Sequence, residues 1–428
     1  MATRRTLLKA AGAAAVASPL AFLFRREARA DGGPLSSDPA RVLDLAPGFR
    51  YKILQRVFEP MSDGFKVPGR PDGMACFPGA NGTLRLMRNH ELDRGFWEAG
   101  YDAAPPESFD ARAGGGVTRV VLDEKNLDVV SSNRVLAGTL RNCGGGESPW
   151  GWLSCEESVE SGHGYVFRCR TDAAHLSAPE PIPAYGRFRH EAACVDPRTL
   201  TAFLTEDQRD GCLYRYSPAD RNRPHTSGKL QALRVPGVPH FDTSRDLDHG
   251  IELEVDWTDI SNPDPKDDSV RRQASGGGAA KFCRGEGIFF KDGVVYVCCT
   301  AGGRQGLGQV FKLTLGVGAA PDRLTLFAES PGPSVLDMPD NICVTPWGDV
   351  LLAEDGGGQQ YLRGITPNGR IYDLAKNAKS SGEFAGVCCS PRGDALFVNM
   401  QADGLTLAIM GPFAELSRNA KLLARRPA

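Results

Sequence analysis

Acidic residues recur along this chain in one kind of place, the outer ends of paired apolar runs. Glu91, Glu156, Glu157, Glu191, Glu206, Asp207, Glu286, Asp340, Glu354 and Asp355 all stand there. One such residue reads as an ordinary solvated loop edge. The whole set does not, because carboxylates brought together raise one another's pKa, and a cation removes that penalty. Carboxylate and amide oxygens suit calcium and other hard ions. Cys143 adds a different donor: it precedes Gly144-Gly145-Gly146, a stretch that backbone or ligand can approach closely. A thiolate there points to a softer transition metal beside the hard ions. Arg284, two residues before Glu286, could grip an anionic substrate through a forked contact. Its bland role is an ion pair inside the fold. Arg189 and Lys281 are further, weaker candidates. His90 and His190 each directly precede an acid. Strand neighbours point to opposite faces, so these imidazoles are expected to support the next layer rather than share a metal with the acid.

The elements that must position these residues are strand pairs. The clearest opens at Glu191, runs through Ala192-Ala193-Cys194-Val195, turns at Asp196-Pro197-Arg198 and returns as Leu200 to Leu204, ending at Thr205-Glu206-Asp207. In an antiparallel pair the start of the first strand lies beside the end of the second, so both polar ends reach the same edge. Similar units end at Asn89-His90-Glu91, open at Asn142-Cys143 and end at Cys155-Glu156-Glu157, open at Glu286 and end at Cys299-Thr300, open at Asp340-Asn341 and end at Glu354-Asp355, and open at Gly386 and end at Asn399. Opening and closing residues lie about 13 to 15 positions apart, the length of two strands and a tight turn. Units that cannot bury their faces alone stack around an axis. The expected fold is all-β, a six-bladed β-propeller with loop insertions near 93–116 and 217–278. A two-sheet sandwich would explain the strands but not the recurrence of polar ends. A short helix is expected within 414–428.

The totals agree. The chain has 428 residues, with 50 Gly and 30 Pro, which suits many turns and few long helices. A formal net charge of −2 gives no global field for nucleic acid. Of the 12 Cys, most fall inside apolar strand runs and read as small hydrophobes, and no CxxC pair suggests a zinc ribbon. No Gly-x-Ser-x-Gly elbow supports a serine hydrolase. Residues 1–30 read as an export signal. Arg4-Arg5 precede an alanine-rich stretch from Ala10 to Phe24, and Ala28-Arg29-Ala30 has the small-x-small pattern of a cleavage site. The apolar run is short for a membrane span, so no stable anchor is expected. A single domain over 31–428 follows.

Taken together the motifs resemble a known family. Asn142-Cys143-Gly144-Gly145, with Ser148-Pro149-Trp150-Gly151-Trp152-Leu153-Ser154-Cys155-Glu156-Glu157, resembles the signature of the PhoX-type alkaline phosphatases. Asn89-His90-Glu91, Arg189-His190-Glu191, Leu204-Thr205-Glu206-Asp207, Arg284-Gly285-Glu286-Gly287, Pro339-Asp340-Asn341 and Glu354-Asp355 extend the likeness over nearly the whole mature chain. The resemblance implies a six-bladed propeller with a central cluster of iron and calcium that hydrolyses phosphomonoesters. It makes Cys143 the iron-binding thiolate. It places metal ligands among Glu91, Glu156, Glu157, Glu191, Glu206, Asp207, Glu286, Asn341, Glu354 and Asp355, and makes Arg284 the phosphate contact. It implies a small phosphate ester and the twin-arginine export machinery as partners, a periplasmic or secreted location, and a monomer. The alternatives are a catalytically altered calcium-binding propeller and a propeller hydrolase acting on lactones.

Overall fold

The computed structural model describes residues 29–30 and 34–423, so the expected export signal over 1–30 lies almost wholly outside the described residues. The hairpin from His190 shows how the sequence builds each unit. The Asp196 carboxylate accepts the Arg198 amide at 2.9 Å and Leu200 takes φ 63°, which reverses the chain. Ala202–Glu206 then returns antiparallel to His190–Val195, with Cys194 opposite Phe203 and Val195 opposite Ala202. Ala193, Val195, Ala202 and Leu204 pack with Leu153, Cys155 and Val166. Ala192, Cys194 and Phe203 pack on the other face with Ile288, Val295 and Val297. Alternate residues thus feed cores on both faces, which is why the run is apolar almost throughout.

The same packing continues around the molecule. The opening strands are Pro71–Pro78, Asn142–Ser148, His190–Val195, Gly285–Lys291, Pro339–Val344 and Phe384–Cys389. Each lies beside the next, and the last lies beside the first. The fold is therefore all-β and propeller-like, with few helices. Among the described residues no helix is long and apolar enough to cross a membrane.

Hydrogen bonding divides the strands into five sheets, where six separate blades were expected. The difference lies in Glu252–Asp259, which the sequence placed in an insertion. It pairs with Gly228–Arg234 on one side, Gln231 facing Asp259, and with Asp322–Glu329 on the other, Glu252 facing Thr325. Two runs of strands are thereby joined into one nine-stranded sheet. The final sheet is completed by Arg50–Arg56, which pairs antiparallel with Leu405–Met410 and so fastens the early chain to the late chain. Phe397, fully buried, packs across this junction with Leu54, Met74, Leu86 and Ala408. Phe397→Ala is expected to destabilise the fold by about 3–5 kcal/mol, read from the urea midpoint. The terminal helix spans Phe413–Leu423 and buries Phe413, Leu416 and Ala420 against Leu43, Leu374 and Leu407. The described cysteines are all free, and Cys194, Cys298, Cys299, Cys343 and Cys388 are buried within strands.

Candidate metal centre

Every opening strand breaks its pairing register at its outer end. The breaks fall between Pro71 and Met74, Asn142 and Gly145, His190 and Ala193, Gly285 and Ile288, Pro339 and Ile342, and Ala385 and Cys388. A bulge leaves residues outside the ladder and re-aims a side chain. The first residue so released is Asp72, Cys143, Glu191, Glu286, Asp340 and Gly386 in turn. Five of these equivalent positions carry ligand-type side chains, and they belong to strands that stand next to one another in the ring. The residue that follows is often glycine, and close packing explains it. A Cβ on Gly144 would lie 2.6 Å from the Glu191 carbonyl oxygen, and one on Gly287 2.7 Å from that of Asp340.

Two compact groups result. The carboxylates of Glu191, Glu286 and Asp340 place ligand atoms within 4.8 Å of one another, and so do Glu91, Cys143 and Glu157. The groups adjoin, since the Gly144 amide donates to Glu191 Oε1 at 3.1 Å. The Cys143 peptide is fixed from behind: Asn89 Nδ2 donates to the Cys143 carbonyl at 3.0 Å, and Trp152 Nε1 donates to Asn89 Oδ1 at 2.8 Å.

These acids are crowded and dry. Burial, then mutual repulsion, pushes the Glu191, Glu286 and Asp340 carboxyls well above the usual carboxylate range. Burial and Glu91 raise Asp72 to about 8, and burial raises Glu157 to about 7 against the pull of Arg141. Burial and Asp355 raise Glu383 to about 11. The Cys143 thiol is pushed up by burial and by Glu91, Glu191 and Glu157. Asp72 Oδ1 and Glu286 Oε1 are buried without a hydrogen-bond partner, although Arg284 Nη2 lies 3.0 Å from the latter off bonding geometry. Unpartnered buried oxygens and mutually repelling carboxylates lack what cations supply. The oxygen-only group suits a hard ion and the group with sulfur a softer one.

The family description "Alkaline phosphatase PhoX" matches residues 30–404. The chain belongs to the PhoX alkaline phosphatase family. Membership makes it a phosphatase. PhoX of Pseudomonas fluorescens, solved in complex with vanadate, a transition state analogue, has the same fold at a TM-score of 0.70 and 17% identity. The match covers 90% of this chain and 98% of that one. A gluconolactonase of Xanthomonas campestris matches at TM-score 0.37 and 14% identity, over 91% of this chain and 99% of its own. A luciferin-regenerating enzyme matches at 0.43 and 11%, over 85% and 96%. No curated protein matches the chain.

In this PhoX family member the candidate ligands divide by strand alternation. Glu156, Glu206 and Glu354 end their strands facing away from both groups. The Glu156 carboxylate accepts the amides of Leu140 and Gly164 at 2.8 Å and contacts His163 Nδ1 at 2.8 Å. Glu206 accepts from Arg271 at 2.7 Å and the Tyr214 hydroxyl at 2.8 Å. Glu354 accepts the Asp337 amide and Arg363 Nε, both at 2.8 Å. One residue further on, Glu157 enters the sulfur-containing group, Asp207 adjoins Glu191 and Glu286, and Asp355 adjoins Asp72 and Asp340. Asn341 spends its Oδ1 on the Gly386 amide, and its Nδ2 lies 3.3 Å from Asp340 Oδ1. His90 and His190 lie in the supporting layer, bonded to the carbonyls of Gly69 at 2.8 Å and Gly186 at 2.9 Å. Arg284 forks onto Asp207, Nε to Oδ1 at 2.8 Å and Nη2 to Oδ2 at 3.1 Å. Sequence reasoning passed over Asp72 and Glu383 as ligands; it counted Asp340 among the strand-end acids, while the ligand set implied by the family resemblance held Asn341 in its place. Pro71-Asp72-Gly73 parallels Pro339-Asp340-Asn341, and that likeness could have found Asp72.

Proposed function

We propose that this phosphatase hydrolyses phosphomonoesters at a central iron and calcium cluster within a six-bladed propeller, after twin-arginine export to the periplasm or cell exterior. The observation that carries the reading is the repeated bulge, which brings Asp72, Cys143, Glu191, Glu286 and Asp340 to equivalent places in one ring. The blade count is supported by the ring of opening strands and by six apolar clusters, one between each neighbouring pair. Glu252–Asp259 then acts as a strap between two blades.

Glu91, Cys143 and Glu157 would hold iron, and Glu191, Glu286 and Asp340, with Asp72 and Asp207 beside them, would hold calcium. Bound there, the cations supply positive charge to phosphoryl and leaving oxygens. The chain's own work is to bind and orient the ester. Arg284 is pinned by Asp207 through Nε and Nη2 and takes φ 53°, a strained conformation for a residue with a side chain. Its guanidinium is only partly exposed, with 27% of its side chain open to solvent, so it meets an incoming phosphoryl group at the edge of a low-dielectric site. The buried His90 bonds the Gly69 carbonyl and the Thr118 hydroxyl, and His190 bonds the Gly186 carbonyl, so both serve the supporting layer in this reading. A small phosphate ester, the export machinery and a monomeric state complete the reading.

The test is p-nitrophenyl phosphate hydrolysis by purified protein, before and after chelation and after return of calcium and iron, beside a panel of lactones. Hydrolysis should fall by more than about a hundredfold on chelation and return with the metals. Folded, metal-loaded protein that ignores monoesters but opens lactones would end this reading.

A further inference from the structure

We propose that Arg141 is a second residue that binds the substrate's phosphoryl group, with Arg189 behind it. The inference rests on the phosphatase reading and names how that site grips its substrate.

The starting observation is register. Arg284 lies two residues before Glu286, the residue its bulge releases. Arg70, Arg141 and Arg189 lie at the same distance before Asp72, Cys143 and Glu191. The remaining two units carry Met338 and Phe384 there instead. The cationic positions therefore occupy consecutive opening strands, and Arg141, Arg189 and Arg284 belong to neighbours in the ring. Backbone shape repeats as well. Arg70, Arg141 and Arg284 have φ of 45°, 47° and 53°, and Met338 at the equivalent place has 52°, so the turn belongs to the bulge and fixes where each side chain starts. Residues with side chains adopt that region rarely, and it persists where the surrounding structure enforces it.

Contacts separate Arg141 from Arg70. Arg70 lies 3.8 Å from Glu98 and donates to Gln401 Oε1 at 3.3 Å, and it reaches the acids only through that amide, whose Nε2 donates to Asp72 and Glu91. Arg141 Nη2 reaches Glu157 Oε2 at 2.5 Å and Glu91 Oε1 at 3.2 Å, two members of the sulfur-containing group. Arg189 Nη1 approaches the same Glu157 from the other side at 3.6 Å. The Arg141 and Arg189 side chains are 40% and 33% exposed, whereas Glu157 beneath them is 8% exposed. An anion arriving from solvent meets guanidinium before carboxylate. Both guanidiniums also hold an unused donor, since Arg141 Nε and Arg189 Nε are buried with no hydrogen-bond partner. A buried donor without an acceptor is unfavourable, and a phosphoryl oxygen is an acceptor of the right charge. When Glu91 and Glu157 share their charge with a cation, they attract Arg141 less, and its fork becomes available to the substrate.

Arg141→Gln and Arg141→Lys test the assignment in metal-loaded protein, with elemental analysis of each variant. Inorganic phosphate binding is measured by calorimetry and p-nitrophenyl phosphate turnover by steady-state kinetics. Arg141→Gln should weaken phosphate binding about tenfold or more and raise KM more than it lowers kcat, at full metal content. Arg141→Lys should recover part of the affinity, since it keeps charge but not the fork. Unaltered phosphate affinity in Arg141→Gln overturns the assignment, and so does a loss of affinity that merely follows loss of metal. Wild-type protein that binds phosphate yet leaves monoesters intact would defeat the proposed reaction alone. The calorimetric comparison would still decide Arg141.

Discussion

Asp340→Asn is expected to abolish activity and, at the same time, to make the metal-free protein harder to unfold. The two effects share a cause. Asp340 lies within ligand distance of Glu191 and Glu286, and its carboxyl is pushed well above the usual range by burial and by Asp72 and Asp355. Without cations these acids can be buried together only by holding protons that the unfolded chain would release. Asparagine keeps the volume and needs no proton, so the metal-free fold should gain about 1–2 kcal/mol. With cations the balance reverses, because the lost carboxylate is a ligand. Turnover should fall at least about a hundredfold, since ligand changes reach both metal affinity and the charge offered to the substrate. Melting curves in excess chelator and kcat/KM with metals restored measure the two halves. A metal-free variant that melts lower than wild type would mean that Asp340 is a structural acid, and the oxygen-ligand group would lose its third member.

How much of this could be read from residue order varies from feature to feature. The strand units were legible because each strand has cores on both faces and ends in a turn with strong local chemistry, as at Asp196-Pro197-Arg198. The sheet count was not. Glu252–Asp259 alternates acids with Leu253, Val255 and Trp257 inside a long connection, and only its two partners make it a strand. The site was half legible. Alternation was applied to His90 and Glu91, and the structure places that imidazole in the supporting layer. The same rule separates Glu156 from Glu157, Glu206 from Asp207 and Glu354 from Asp355, and there it went unused. Asp72 stayed hidden because its exposure to the ring depends on a bulge, and a bulge is a property of pairing rather than of one strand. The arginines two residues ahead of the ring could be aligned only once the bulge positions were known.

Metal-free protein is expected to lose stability steeply between about pH 7 and about pH 8, and metal-loaded protein much less. Asp72 is raised to about 8 and Glu383 to about 11, and Glu191, Glu286 and Asp340 stand well above their ordinary values. In the unfolded chain such groups ionise near about pH 4. Between those limits the folded state holds more protons than the unfolded state, so raising the pH favours unfolding. The sign is the reverse of that for a hydrogen-bonded carboxylate such as Asp38, lowered to about 2 against burial by the Tyr51 hydroxyl and backbone amides, which is charged in both states throughout this window. Histidines outside the two groups act alike in both samples. His190 is lowered to about 3 and His90 well below its usual value, so their contribution grows only until the unfolded imidazole has titrated, near about 6.5. Against burial, Glu156 and Asp110 raise His163, which loses its contribution as the pH rises, in the same direction as the acids but with and without metal alike. Buried thiols other than Cys143 act in the same direction as the acids, but almost equally with and without metal, so the difference between the two samples isolates the ring, Cys143 included. One pKa unit on one group corresponds to about 1.4 kcal/mol, and the acids together should account for several kcal/mol across the window. Bound cations hold the same carboxylates ionised, which removes the proton uptake that drives the loss. Urea midpoints at the two pH values, with chelator and with calcium and iron, give the answer directly. Parallel pH dependence in the two samples would mean that these carboxylates do not meet a shared cation.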